Sequence, residues 1–251
     1  MENFWERIIN YKIPKISNIL LDVDTNKFHY DQTSVSTSNW DKFTEEYLNF
    51  SLNINKIALF LIDLKYTEDL LDSSPINASF NAKRIDLNFI GKCQSLIIFL
   101  ATAVEIYCES VFRTASSKFD LVRLDSSNLE DFYRRFYLTP LAAHTKLSDM
   151  LKPRMDFQNK DNLKIAYRLI GIHLPTLTGI LWQEIFDTNR VGSLLQLRHR
   201  IVHNGLEIMK DHQFSFDEVY ELTMKSIRIV YQIETRRTEL HLHDRDIVII
   251  R

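Results

Sequence analysis

The sequence predicts an all-α fold, and three observations carry that expectation. Only five glycines and five prolines occur in 251 residues, too few turn-formers for a many-stranded sandwich or for glycine-rich phosphate loops. Apolar residues recur at steps of three and four over long stretches, the period of a helix with one buried face. Helix-start signals precede two of those stretches: Ser127 with Glu130, and Ser215 with Glu218, stand at the spacing of a capping box.

Residues 1–30 mix aromatic and aliphatic side chains without a clear period, and KFHY (27–30) reads as a short strand or an irregular edge. TSVSTSN (33–39) is a polar loop. From Trp40 to about Leu71, the residues Phe43, Tyr47, Phe50, Ile54, Ile57 and Leu61 mark a long amphipathic helix, with Ser38 as its candidate N-cap. Residues 72–79, where two serines precede Pro75, are a turn, and residues 83–118 form a second long helix. Its section LIIFLATAV (96–104) is apolar on every side and belongs at the centre of the core. That run falls far short of the ~20 residues needed to cross a bilayer, and it stops at Glu105.

SSNLEDFYRRFY opens a helix at Ser127 that Pro140 ends. Short helices follow at 141–151 and 161–172, and Pro175 and Gly179 punctuate before ILWQEIF. A helix runs from about Asn189 to His203, with Asn204-Gly205 suited to a left-handed stop. The last helix runs from Phe216 to Arg236, with Val219, Leu222, Ile227, Val230 and Ile233 on one side. HLHDRDIVIIR is a final strand or a docked tail. The expected organisation is a helical extension at 1–80 packed on a helical domain at 81–240, then a tail or short strand at 241–251.

The net charge of −2 and pI near 6.5 exclude a generally basic nucleic-acid coat, so any polyanion must meet a local patch. Cys93 and Cys108 have no zinc-knuckle or redox-pair spacing and read as buried thiols. The start, MENFWERIINYKIPK, lacks the apolar core of a signal peptide or anchor. These features point to a cytoplasmic protein without a membrane partner.

One stretch departs from this ordinary pattern. LRHRIVHNGL (197–206) sets two arginines and two histidines among leucine, isoleucine and valine. On a helical wheel at about 100° per residue, Leu194, Leu195, Leu197, Ile201 and Val202 define the apolar arc, and Arg198 falls in its middle. Gln196, His199, Arg200 and His203 lie on the other side. A solvated face accounts for His199 and Arg200 but not for Arg198, because an unpaired charge taken out of water costs several kcal/mol, on the order seen in real proteins. Glu105 lies on an apolar arc of the 83–118 helix with Leu87, Ile90, Ile98, Ala101, Cys108 and Phe112. If the two helices pack, a Glu105–Arg198 pair lets both charges be buried; it is either an internal ion pair or part of a site.

RHRIVH, Arg198 through His203, resembles the signature of the HEPN superfamily: an arginine, a polar residue, a short spacer and a histidine near the end of a helical domain. Asn204-Gly205 resembles the ending seen in many members. The resemblance spans about 83–237 and implies a HEPN-like helical bundle, here with additional N-terminal helices. It implies metal-independent endoribonuclease activity without a cofactor, at a groove shared by two copies of the chain. In that scheme His203 is the general acid/base toward the ribose 2′-hydroxyl and the leaving oxygen, since imidazole titrates near working pH. Arg198 stabilises charge on the scissile phosphate. His199 takes the family's polar position, and Glu105 and Asn204 are supporting residues. Arg200 supplies phosphate attraction only. The 2′-oxygen is an internal nucleophile, so the implied products are a 2′,3′-cyclic phosphate and a 5′-hydroxyl. Implied partners are RNA, a second copy of the chain, and an antitoxin or regulatory partner that restrains a toxin or antiviral effector.

Other chemistries compete for the same residues. His199 and His203 have the i, i+4 spacing of helical zinc ligands, but Arg200 replaces the glutamate of a zincin and its charge opposes a cation, so no metal is expected there. His241-x-His243-Asp244 reads as solvated tail, and His144 and His173 read as ordinary core or surface histidines. Tyr133, Arg134, Arg135 and Tyr137 interleave aromatics with charge as unpaired RNA would require, or form a snorkelling helix face. A non-catalytic helical module that binds RNA, nucleotide or protein is the alternative to the enzyme.

Overall fold

A computed structural model describes residues 44–73, 80–139, 145–152, 155–204, 208, 211–240 and 242. Among these the fold is all-α. Eight α-helices follow in order: α1 (Glu45–Ser73), α2 (Phe80–Ser116), α3 (Ser126–Phe136), α4 (Lys160–Leu169), α5 (Leu174–Thr178), α6 (Ile180–Phe186), α7 (Leu194–Asn204) and α8 (Phe216–Glu239). Short 3₁₀ turns cover Leu121–Arg123 and Leu147–Met150. The expected features at KFHY, TSVSTSN, Ser38, Pro140, His144, Gly205 and His241-x-His243-Asp244 lie outside the described residues.

α2 is the axis of the bundle. Its residues Ile97, Leu100, Ala101, Val104, Tyr107, Cys108, Val111 and Phe112 are all buried, as a segment apolar all round requires. α1, α4, α7 and α8 pack around it. By length and composition the stretch Asp86–Ser116 is long and apolar enough to cross a membrane, which the nine-residue run alone does not suggest; here that helix is the core of the bundle. Phe112 anchors an aromatic cluster, its ring centroid 5.8 Å from Phe132, 5.6 Å from Phe157 and 6.3 Å from Tyr167. The Tyr167 hydroxyl donates to the Cys108 carbonyl at 2.8 Å, which seats α4 on α2. Both cysteines are buried and unbridged, and burial pushes each thiol up to about 12.

Helix starts follow local chemistry with two departures from expectation. Ser215 caps α8, its hydroxyl accepting from the Glu218 N–H at 3.1 Å. Glu218 does not complete the box, since its carboxylate meets His212 Nε2 at 3.0 Å. The cap of α3 is Asp125 rather than Ser127: the carboxylate accepts from the Asn128 N–H at 2.9 Å and from the Ser127 hydroxyl at 2.7 Å. The helix starts one residue before Ser127, so Asp125 caps the Asn128 N–H and the Ser127 hydroxyl turns back to the Asp125 carboxylate.

A buried ionic cluster that a search for apolar stripes passes over closes the bundle. Arg237, 0% exposed, donates from Nη1 to Thr44 Oγ1 at 3.0 Å, to Glu46 Oε2 at 3.0 Å and to Glu234 Oε2 at 3.5 Å, and from Nε to the Leu242 carbonyl at 3.3 Å. Tyr107 donates to Glu234 Oε2 at 2.9 Å, and Thr114 donates to Glu46. The beginning of α1, the C-terminal part of α2 and the end of α8 meet there.

Candidate functional site

α7 is placed by its own first turn. Gly192 has φ +79°, the left-handed region glycine tolerates, so the helix starts at Leu194 and not near Asn189. Ser193 is buried; its hydroxyl accepts from the Gln196 N–H at 3.3 Å and donates to the Asp187 carbonyl at 2.5 Å. The Gln196 side chain returns to the Gly192 N–H at 3.3 Å. Leu194, Leu195, Leu197 and Ile201 face the core. Val202, expected on that apolar arc, is instead 52% exposed. It lies on the open side with His199 and His203, both exposed.

α7 packs on α2 and brings Arg198 near Glu105. The direct Glu105–Arg198 ion pair expected from the helical wheel does not form. Arg198 donates from Nη1 to Gln158 Oε1, a residue of the segment entering α4, while its buried Nε has no hydrogen-bond partner among the described residues. Burial pushes the Glu105 carboxyl above the ordinary carboxylate range, against the pull of the Gln158 amide and the Arg198 charge; the carboxylates of Asp156 and Glu109 add to the rise. Gln158 therefore stands between carboxyl and guanidinium and touches both, because the α2–α7 spacing leaves room for an amide between them.

The remaining residues fall into two groups. Arg200 pairs with Asp211 at 2.6 Å. His199 and His203 bring their ring centroids to 4.3 Å at a tilt of 48°, and Asn204 is the last residue of α7, also exposed. Arg134 and Arg135 do not join them: Arg134 lies on α3 at 3.7 Å from Glu130, and Arg135 donates to Asn162 of α4. Tyr137 is 88% exposed at the left-handed C-cap of α3, φ +51°. His173 is exposed, its Nδ1 at 2.6 Å from Thr176 Oγ1. No group of three histidine, cysteine or carboxylate side chains with metal-holding geometry occurs among the described residues.

Sequence reasoning misses Gln158 and Asp211. Neither carries a local signal, since each acts from a connecting segment whose reach depends on how the chain returns to α7. The surface that results holds a guanidinium with an unused buried donor, a neighbouring carboxyl that burial pushes above the ordinary range, and two open imidazoles within about one helical turn. Such a set suits an anionic ligand that exchanges protons. No family model matches the chain, and no curated protein or solved structure shows significant similarity to it.

Proposed function

We propose that the chain is a metal-independent endoribonuclease of the HEPN type, acting at the exposed face of α7. The observation that carries this reading is the placement of Arg198 and His203 on one helix, the histidine open to solvent and the arginine held at the α2–α7 seam beside Glu105. In this reading His203 takes the 2′-hydroxyl proton and returns it to the leaving 5′-oxygen, while Arg198 meets the charge that develops on the phosphate. His199, Glu105 and Asn204 support them, and Arg200, with Asp211 at 2.6 Å, contributes only weak attraction to the RNA backbone. A second copy of the chain completes the groove. The cell requires a partner that restrains such an activity, which suits a toxin or defence effector.

One observation favours a non-catalytic binding module instead. Gln158 already occupies the Arg198 fork, and a phosphate must displace that amide before the arginine can act. The test is cleavage of a mixed RNA pool in excess EDTA by wild type, Arg198→Ala and His203→Ala, with analysis of the 3′ ends. Cyclic phosphate ends made by wild type and reduced at least ~100-fold in His203→Ala, the low end of what a general acid/base contributes, support the enzyme. RNA binding without cleavage by any of the three supports the module.

A further inference from the structure

His199 and His203 are exposed side chains of α7 that no described residue holds in place. Both are exposed, they contact each other at a centroid separation of 4.3 Å, and neither ring nitrogen has a hydrogen-bond partner among the described residues. Imidazoles four residues apart on a helix are a chelating pair: they project from neighbouring turns on one face. Rotation about exposed side-chain bonds then suffices to bring one nitrogen of each to the roughly 2.0–2.1 Å that a zinc ion takes from histidine, a distance of about that size for related ions.

The charge of Arg200 beside His199 is the objection that the sequence raises. The structure removes most of it. Arg200 is neutralised by Asp211 at 2.6 Å, and Arg198 turns toward Gln158 at the α2–α7 seam. Both rings turn nitrogens to solvent that have no hydrogen-bond partner among the described residues.

We infer that the exposed face of α7 is a binding site for a borderline divalent transition-metal ion, with His199 and His203 as its protein ligands. Imidazole nitrogen suits copper and zinc and does not suit magnesium or calcium, which prefer oxygen. Affinity rises from zinc to copper, following the general order for nitrogen ligands. Two protein ligands leave the other coordination positions to water, so the ion exchanges and the site is not a structural one. A consequence follows that rests on the ribonuclease reading: an ion on His203 takes the lone pair the proton transfer needs, so copper or zinc inhibits the enzyme.

The test is calorimetric titration of the full, untagged chain with CuSO4, and separately with ZnCl2, in a non-chelating buffer. One equivalent per chain is expected at this site, copper tighter than zinc and magnesium silent, with the binding lost in His199→Ala and in His203→Ala and kept in His173→Ala. Thermal unfolding of the two α7 variants without metal shows that the exposed substitutions leave the fold intact. Binding that survives both α7 substitutions assigns the ion to other ligands, such as His241 and His243, and overturns the inference, as does the absence of saturable binding in wild type. Calorimetry reads binding without reference to RNA, so a failure of the ribonuclease reading leaves this result standing. Inhibition of cleavage over the same range of metal concentration adds the functional consequence.

Discussion

Among the described residues, Arg237 and Arg198 both carry charge into the packed helices, and their surroundings differ in kind. Arg237 is fully buried and donates to two carboxylates, a hydroxyl and a carbonyl. Arg198 is half-buried, donates to one neutral amide, and keeps a buried Nε without a partner among the described residues. A guanidinium saturated with acceptors holds helices together and has nothing left for a ligand. One that is under-supplied is weakly held, and an arriving phosphate offers it more than its present partner does. The contrast separates structural charge from available charge on grounds that residue type alone does not provide.

Replacing each arginine by methionine breaks or confirms that contrast most directly. Arg237→Met strands Glu46 and Glu234 in the interior and is expected to cost about 3–5 kcal/mol in urea unfolding, the range for losing one partner of a buried pair. Arg198→Met removes an unsatisfied donor together with its charge and is expected to cost about 1 kcal/mol or less. Equal losses would mean that both are structural.

Gln158→Ala sharpens the comparison at intermediate size. It takes the acceptor from Arg198 and leaves a half-buried cation short of partners, for an expected loss of about 1–3 kcal/mol. In a double-mutant cycle with Arg198→Met most of that loss should disappear, because the two residues act as one unit.

The two glutamates give the smallest effects, and their signs are opposite. Burial pushes Glu46 up, but hydrogen bonds from Arg237 and Thr114 and the Arg237 charge outweigh it, and its carboxyl lies below the ordinary range. It therefore contributes stability that is present above its unfolded-state pKa and is lost as pH falls through the folded one. Glu46→Gln should destabilise the protein near neutrality and match wild type in acid. Glu105, raised mainly by burial, contributes stability that is present below its unfolded-state pKa and is lost as pH rises through the folded one. Glu105→Gln should stabilise near neutrality and make no difference in acid. Denaturant midpoints followed between about pH 3 and 7, a window spanning the carboxylate range, read both signs.

Helical periodicity is a sound guide where a face is buried. The central run of α2, the buried stripe of α1, the amphipathic α8, the Ser215 cap and the approach of Arg198 to Glu105 are all legible from spacing. Arg237 is legible by the same rule, although it escapes a search for apolar stripes: it lies four residues beyond Ile233 and seven beyond Val230, on the buried arc of α8, where an arginine demands acids. Gln158 and Asp211 are not legible, because a connecting segment has no period and its contacts follow from the folded path. The cap of α3 is misplaced from sequence because Asp125 and Ser127 are both good cap residues and the helix begins at Ser126, which leaves the role to Asp125.

The Arg237–Glu46 contact joins residues 191 positions apart, so it closes a ring that encloses nearly all of the described chain. Closing a ring of that size carries a large entropic cost that grows only slowly with length, and it is offset once α1, α2 and α8 are packed. The first turn of α1 and the last turn of α8 therefore do not fray independently, as free helix ends do. They are expected to open in one event, which hydrogen exchange would read as one exchange free energy shared by their protected amides.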